Sequence, residues 1–200
     1  FIFLEYFIIE EGVFWTSMLD ILKEKAKNGV EVKLVYDDIG CMSTLPGDYH
    51  KKLKKQFNID TVLFSRLRGS ADGEFNNRSH RKILVIDGKI GFTGGVNIAD
   101  EYINKNDRLG HWKDTGIKLV GGAVNELTKL FLTDFYINKK TKCKIELDDY
   151  YVTSEDGTAK NFVVPFGDGP NPIYNYNVGK TAILNLLNQA EKYVYITTPY

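Results

Sequence analysis

Apolar residues recur along the chain with two different periods, and the change between periods predicts the order of helices and strands. The run FIFLEYFII at residues 1–9 is apolar almost throughout, as in a buried strand. Residues 12–29 carry apolar side chains at helical spacing, and Gly29 follows a lysine-rich end, as at a helix C-terminus. The run VEVKLVYDD at 30–38 predicts a second strand. Elements of these lengths indicate a right-handed βαβ unit with parallel strands.

The rest of the chain continues this alternation of helices and strands. Two runs on either side of an Asp-Gly pair, at 81–87 and 89–95, predict a β-hairpin. The other predicted elements are a helix over 46–58, strands over 60–65 and 115–121, a helix over 122–138, a strand over 161–166, a helix over 179–192 and a strand over 192–200. The pattern predicts an α/β fold with a mixed, mostly parallel sheet flanked by helices.

The end of the chain resembles its beginning. The run KYVYITTPY follows a predicted helix and is similar in character to the run FIFLEYFII, and neither end has an initiator methionine or a polar tail. We therefore expect a segment of a longer protein. Residues 1–165 would form one structural repeat, and residues 166–200 would form a linker with the first helix and strand of a second repeat.

Composition narrows the function classes. Lys and Arg together equal Asp and Glu at 26 each, so no long-range field favours nucleic acid, although a local basic pocket stays open. The two cysteines, Cys41 and Cys143, lack metal spacing, and a reducing compartment is expected. No apolar run approaches the roughly 18 residues that span a bilayer. The segment itself is therefore expected to be soluble.

The stretch HRKILVIDGKIGFTGGVN at residues 80–97 carries the candidate chemistry. His80 and Lys82 lie two residues apart on a predicted strand, so both side chains should point to one face. The hairpin can return Asn97 beside them, after a Gly94–Gly95 pair that allows close backbone approach.

An imidazole, an ammonium and an amide that converge in this way suit a phosphoryl group. The lysine supplies a point charge, the amide and backbone N–H groups bind non-bridging oxygens, and the imidazole can attack phosphorus or transfer a proton. No carboxylate cluster is present and the lysine takes the cationic role, so neither a metal nor another cofactor is implied.

This stretch resembles the H-x-K-x4-D signature of the phospholipase D superfamily and its downstream Gly-Ser-x-Asn element. The matching residues are His80, Lys82, Asp87, Gly94 and Asn97. Gly95 replaces the usual serine, and the double glycine is typical of the bacterial cardiolipin synthase branch. Other similar segments are ILKEKAKNGVEVKLVYDDIG and LGHWKDTGIKLVG. The resemblance covers nearly the whole chain and is thin only over 139–160.

The resemblance implies an α/β/α sandwich that is one repeat of a two-repeat fold. It also implies a double displacement, in which one motif histidine attacks the phosphodiester and a second motif histidine protonates the leaving alcohol. Two phosphatidylglycerols would then give cardiolipin and glycerol. The N-terminal motif usually supplies the nucleophile, which assigns that role to His80.

Other roles follow from the same resemblance. Lys82, Asn97 and the Gly94–Gly95 backbone would stabilise charge on phosphorus. Asp87 belongs to the motif and is expected to organise the turn rather than to act as a base. Asp114 is the candidate for orienting His80, and a turn residue at the entrance of a strand is an equal alternative.

Several weaker candidates stay open between a functional and a structural role. Trp112 and His111 would line a headgroup pocket or lie on the surface. Glu5 needs a partner or a neutral state, at the active-site end or at a sheet edge. Asp37 and Asp38 are expected to cap a loop. Four arginines near the motif would attract lipid phosphates or stay solvated: Arg66, Arg68, Arg78 and Arg81.

The expected partners are phosphatidylglycerol or a similar anionic phospholipid, and a second motif half in cis or from a second copy. The parent protein would work at the cell membrane, peripherally or facing the cytoplasm, through parts outside this segment. No nucleic acid is expected, although a nuclease that pairs two identical chains is the alternative. With one motif only, the segment is expected to show little turnover by itself.

Overall fold

The computed structural model describes residues 1–66, 77–108, 110–140, 147–153, 162–169 and 177–198. The chain divides into two compact units, residues 1–165 and residues 166–200. The described strands are β1 (Ile2–Tyr6), β2 (Val32–Asp37), β3 (Asp60–Phe64), β4 (Ile83–Ile86), β5 (Ile90–Gly94) and β6 (Gly116–Val120). The described helices are α1 (Val13–Lys27), α2 (Tyr49–Phe57), α3 (Ala123–Lys139) and α4 (Val178–Gln189), with 3₁₀ turns at Asp100–Ile103 and Leu147–Tyr150.

The six strands form one sheet in the order β3-β2-β1-β4-β5-β6. The strands β1, β2 and β3 are parallel, which confirms the predicted βαβ unit. The pairs β1–β4, β4–β5 and β5–β6 are antiparallel. The prediction of a mixed sheet is confirmed, but the expectation that it is mostly parallel is wrong. Only three residues, 87–89, join β4 to β5, and so short a connection can join only antiparallel strands.

Helices cover both faces of this sheet, which makes the unit an α/β/α sandwich as expected. One buried cluster joins α1 and α2 to the face that carries Leu4 of β1. The other joins α3 to the opposite face, where the Phe3 ring stacks on the Phe131 ring at 4.8 Å. Successive residues of β1 therefore enter different cores, which is the two-residue period of a strand buried on both faces.

The Asp-Gly pair forms the predicted hairpin turn. Asp87 has φ 53° and Gly88 has φ 65°, so two consecutive residues adopt the left-handed conformation of a type I′ turn. The turn reverses the chain over residues 87–89 and places β5 directly beside β4, in the register Ile86↔Ile90 to Ile83↔Thr93. The segment that follows β5 consequently returns to the end of the sheet where β4 begins.

The second unit contains α4, where a helix was predicted. The strands predicted over 161–166 and 192–200 are not found in the described parts of those ranges, 162–166 and 192–198. A strand requires hydrogen bonds to a neighbouring strand, and for residues 192–198 no other described segment of the second unit supplies them. Among the described helices, none has the length and apolar character needed to cross a bilayer.

Candidate active site

The residues before β4 approach the carboxyl end of β1, where His80 and Lys82 lie together. Both precede β4, which begins at Ile83, so the prediction that they lie on a strand is wrong. They still share one side: the Lys82 Nζ atom is 3.1 Å from His80 Nδ1 and donates to the His80 carbonyl oxygen at 2.8 Å. The Phe7 ring, which follows β1, lies 4.7 Å from the His80 ring between centroids.

Lys82 is a buried lysine, with only 4% of its surface exposed. Its ammonium lies over the Phe7 ring at 5.5 Å. Burial lowers the pKa of Lys82 to about 8, and the negative charge of Asp114 partly opposes this shift. The ammonium is therefore charged at neutral pH and poorly solvated, so an incoming anion would be strongly attracted to it.

His80 is exposed, and its imidazole is poised to be neutral. Partial burial, followed by the charge of Lys82, lowers the pKa of His80 from its ordinary value of 6.5, while Asp37 acts in the opposite direction. A neutral imidazole has the free electron pair that a nucleophile requires. The ammonium of Lys82 thus places a positive charge beside His80 and favours the neutral form of its imidazole.

These two shifts predict a bell-shaped pH profile for kcat/KM, which reports the groups of the free enzyme. Activity should rise with pH as His80 loses its proton, through an apparent pKa below 6.5. It should fall again as Lys82 loses its proton, through an apparent pKa of about 8. The measurement is the initial rate at sub-saturating substrate across this range, at constant ionic strength. A profile that keeps rising above the Lys82 value would contradict a required ammonium.

Asn97 lies at the same end of the sheet and joins two loops. It is 2% exposed, its Oδ1 atom accepts a hydrogen bond from the Ile8 backbone N–H at 3.0 Å, and its Nδ2 atom donates to the Tyr102 hydroxyl at 2.7 Å. A parallel bridge between Ile9 and Ile98 continues this contact. One amide N–H is committed to Tyr102, so the predicted contact to phosphate would use the other.

The two glycines permit a close approach between β5 and the residues that precede β6. Gly94 pairs with Gly116, and the Gly95 N–H donates to the Thr115 carbonyl oxygen at 3.0 Å. A Cβ atom on Gly95 would lie 2.0 Å from Asp114 Oδ1. Gly95 therefore allows the Asp114 carboxylate to lie against the backbone, and its N–H bonds to protein in this structure rather than facing a ligand.

Asp114 connects the glycine pair to an aromatic neighbour. Its Oδ2 atom accepts from the Trp112 indole at 3.0 Å, and its Oδ1 atom accepts from the Thr115 N–H at 2.7 Å. The half-buried Trp112 ring also lies 4.6 Å from the Tyr102 ring. These bonds fit a turn residue at the entrance of β6, and the charge of Asp114 also acts on Lys82. Orientation of His80 by Asp114 stays a prediction.

Asp87 is not brought to this site. β4 separates Asp87 from Lys82 by five residues, which corresponds to about 16 Å along an extended strand. Its backbone N–H bonds to the Phe1 carbonyl oxygen at 2.9 Å, at the opposite end of β4. The structure therefore places Asp87 in the hairpin turn, as its motif position suggested. This turn lies at the end of β4 away from His80 and Lys82.

Two of the four arginines are held inside the protein. Arg78 donates to Asp37 Oδ1 at 3.3 Å and to the Ser65 carbonyl oxygen at 2.6 Å. Arg81 donates to Asp134 Oδ2 at 2.5 Å. For these two residues the expectation of solvated charges is wrong.

For the other two arginines the prediction of lipid binding stays a prediction. Arg66 is exposed, and Arg68 lies outside the described residues. His111 is exposed, which fits the surface interpretation of that residue. The predicted contact between Arg78 and phosphate would therefore have to compete with its bonds to Asp37 and Ser65.

Asp37 has the capping role that its position predicted. Its Oδ1 atom accepts from the backbone N–H groups of Ile39 at 3.0 Å and Gly40 at 2.9 Å. Its other oxygen accepts from the Ser79 N–H at 3.2 Å, one residue before His80. The loop after β2 and the residues before β4 are therefore held by one carboxylate.

Three residues near His80 were missed at the level of sequence. Ser79 donates to Glu5 Oε1 at 2.5 Å, Asp134 binds Arg81, and Phe7 packs against the imidazole. Glu5 lies on the central strand β1 and is fully buried, so its sheet-edge interpretation is wrong. Glu5 could be noticed in the sequence because it is a charged residue inside an apolar strand. Ser79, Asp134 and Phe7 have no comparable feature in the sequence.

A groove of about 370 Å³ opens beside Lys82. Its walls are largely apolar and carry Lys82 and a second cation, Lys118. The lining residues are Tyr6, Lys82, Phe92, Thr93, Gly94, Val96, Gly116, Ile117 and Lys118. Among the residues that the structure describes, no group of three or more His, Cys, Asp or Glu side chains is placed to hold a metal ion.

An exposed imidazole beside a buried ammonium, on an α/β/α sandwich, fits a phospholipase D-like domain. The chain matches the family model described as cardiolipin synthase, PLD-like domain, over residues 5–131. This range is more than half of the chain, so the chain belongs to that family.

Individual relatives agree with the family model. The chain is 43% identical over 201 residues to an uncharacterized protein of Streptococcus mutans, covering all of this chain and 42% of that protein. It is 34% identical over 200 residues to a cardiolipin synthase of Staphylococcus aureus, covering all of this chain and 40% of that protein. The chain thus spans less than half the length of these curated relatives.

Similar solved structures include NucT from Helicobacter pylori, with a TM-score of 0.48 at 14% identity over 70% of this chain and 78% of that one. A phosphatidylserine synthase from Haemophilus influenzae has a TM-score of 0.47 at 14% identity, over 74% of this chain and 35% of that one.

Proposed function

We propose that the protein is a phosphatidyltransferase that joins two phosphatidylglycerols into cardiolipin and releases glycerol. The observation that carries the proposal is an imidazole 3.1 Å from the buried ammonium of Lys82, which itself lines a largely apolar groove. A phospholipid headgroup needs both the cation and the apolar wall, whereas a nucleic-acid backbone would favour an open basic surface. Membership of the cardiolipin synthase family supports the same choice.

In the first step, His80 attacks the phosphorus of one lipid, an N–P bond forms, and the bond from phosphorus to the glycerol headgroup breaks. The leaving oxygen takes a proton from an acid, which we assign to the second motif histidine. In the second step, the hydroxyl of a second lipid attacks phosphorus, its proton returns to that acid, and the N–P bond breaks. Lys82 balances the charge on the non-bridging oxygens in both steps.

The second histidine defines the larger assembly that this proposal requires. We propose that residues 1–165 form one repeat of a two-repeat enzyme and that residues 166–200 begin the second repeat. The second motif would come from the same polypeptide or from a second copy. Because the substrates are lipids, the complete protein would work at a membrane surface.

The groove supports binding of more than the reacting phosphate. Its volume of about 370 Å³ lies at the lower end of the range for ligand pockets, about 300–1,000 Å³. Phe92 pairs with Lys118 across β5 and β6, so an aromatic ring and a cation lie side by side in the wall. Lys118 makes no ion pair with the residues that the structure describes. We assign it to the anionic headgroup of the bound lipid.

Replacing Lys118 with methionine should therefore raise the KM for phosphatidylglycerol about fivefold with kcat little changed, which corresponds to about 1 kcal/mol for a partly exposed charge. The difference from wild type should shrink as salt is added, because salt screens exposed charges. Lys89→Met is the matched control, since Lys89 is exposed at the hairpin turn. An unchanged KM, or an equal rise in the control, would remove Lys118 from the site.

The function itself is tested with the protein expressed from its complete reading frame. The protein is mixed with vesicles of phosphatidylglycerol, and cardiolipin and glycerol are quantified together. We expect the two products in equal amounts, with no phosphatidic acid. Phosphatidic acid and glycerol without cardiolipin would indicate hydrolysis. No lipid turnover combined with DNA cleavage would replace the proposal by a nuclease function.

A further inference from the structure

Two buried carboxyl groups face each other directly behind the catalytic histidine. Glu5 on β1 is 0% exposed and Asp134 on α3 is 1% exposed. Ser79 donates to Glu5 Oε1 at 2.5 Å, and Arg81 donates to Asp134 Oδ2 at 2.5 Å. The residues on either side of His80 are therefore each bound by one member of this pair.

Each carboxyl group has one oxygen left over. Glu5 Oε2 and Asp134 Oδ1 are buried, and if both groups are ionised neither oxygen has a hydrogen-bond donor among the residues that the structure describes. The two side chains are nevertheless within hydrogen-bonding reach of each other. Two carboxylates at this position would repel each other and leave two buried oxygens unsatisfied. A single proton between the leftover oxygens removes both problems.

The geometry identifies which group carries that proton. Burial raises the pKa of Asp134 too, but the guanidinium of Arg81 and a hydrogen bond from Glu5 oppose this shift, so Asp134 is assigned as the ionised member. Glu5 receives only the hydroxyl of Ser79, and its lateral neighbours in the sheet are the apolar Val35 on β2 and Ile83 on β4. Burial, and then the charge of Asp134, raise the pKa of Glu5 well above its ordinary value, while Arg81 opposes this less strongly.

We propose that Glu5 and Asp134 share one proton and that this pair positions His80 by holding Ser79 and Arg81 on either side of it. The bridge joins β1, α3 and the segment before β4, which are distant in sequence. Asp37 also holds the segment before β4, because it accepts hydrogen bonds from the Ser79 N–H and from Arg78. Neither carboxyl group contacts substrate. The positioning role rests on the proposed transferase function, whereas the shared proton does not.

The shared proton is tested by thermal unfolding as a function of pH, comparing wild type with Glu5→Gln. The amide keeps both bonds, because it can accept from Ser79 and donate to Asp134. In wild type, folding keeps a proton on Glu5 that the unfolded chain releases above about pH 4.3. The contribution of Glu5 to stability must therefore fall as pH rises above that value. Glutamine cannot titrate, so the Tm of Glu5→Gln should gain steadily on wild type between about pH 5 and about pH 8.

Parallel Tm curves for the two proteins would overturn the shared proton, because an ionised Glu5 gives no such slope. Glu126→Gln, on the exposed part of the same helix as Asp134, is the matched control and should run parallel to wild type. This comparison needs no catalytic activity. If wild type made no cardiolipin, the proposed function would fail, but the Tm comparison would still show whether Glu5 and Asp134 share a proton.

The positioning role is tested by steady-state kinetics on the complete protein. Glu5→Gln should stay within about twofold of wild type in kcat. Asp134→Asn deprives Arg81 of its anion and should lower kcat at least tenfold with an unchanged KM. Ser79→Ala is small enough to fold even if Asp134→Asn does not, and it should lower kcat severalfold, again without a change in KM. Wild-type kcat in Ser79→Ala, or a rise in KM that accounts for its loss, would overturn the positioning role.

Discussion

Replacing His80 with alanine is expected to lower kcat by on the order of 10⁴-fold or more, leaving no measurable cardiolipin synthesis. The imidazole of His80 is the proposed nucleophile. Without it, no group can take the phosphatidyl unit from the first lipid and pass it to the second. His80 is exposed, so its loss should leave the Tm within a degree or two of wild type. The measurement is product formation from phosphatidylglycerol vesicles by the complete protein.

A covalent intermediate provides the decisive control for this prediction. Mass spectrometry of alkali-quenched wild type should find a phosphatidyl group on the peptide that contains His80, and this adduct should be absent from His80→Ala. His111→Ala is the matched variant, because His111 is an exposed histidine on the same unit. It should keep full activity. Activity above one-tenth of wild type in His80→Ala would move the nucleophile to another residue.

The second large effect is expected for Lys82→Met, which should lower kcat by about 10²- to 10³-fold. The ammonium lies 3.1 Å from the His80 Nδ1 atom, and it would stabilise charge that grows in the transition state. Methionine has a similar length without the charge. Because burial disfavours the charged form of Lys82, its replacement should leave the Tm unchanged or raise it.

Loss of activity together with retained or increased stability separates a catalytic role from a structural one. The upper limb of the pH profile, with its apparent pKa of about 8, should also disappear from the residual activity of Lys82→Met. Lys89→Met serves as the control and should retain both the wild-type kcat and the fall in activity at high pH. A variant with wild-type kcat and a raised KM would instead assign Lys82 to ground-state binding of the headgroup.

The order of elements in the first unit could be predicted from local patterns. The apolar run of β1, the helical spacing of α1 and the run of β2 define the βαβ unit, and the pair Asp87–Gly88 defines the hairpin. These features depend on residues close together in sequence, where period and turn chemistry are decisive. Strand direction across the sheet was harder, because the pairing of β1 with β4 joins residues about 80 positions apart.

The candidate site, like the fold, could be predicted from the sequence only in part. Spacing alone brought His80 and Lys82 together, although the strand expected beneath them begins only at Ile83. The spacing of Asp87 in the same motif did not bring it to the site, since a strand of four residues lies between. Gly95 was expected to donate to phosphate, and instead it makes room for Asp114. Which face a group points to, and what occupies that face, depends on elements outside the motif.

The sequence by itself determined the family, the pair His80 and Lys82, the hairpin and the α/β/α order of elements. These are properties of local period, turn chemistry and a motif of fixed spacing. Only the tertiary structure decided the surroundings that give the pair its chemistry. The burial of Lys82, and the bonds that join Ser79 to Glu5 and Arg81 to Asp134 on either side of His80, arise where β1, α3 and the segment before β4 meet. Desolvation and charge pairing act through space, so no pattern along the chain encodes them residue by residue.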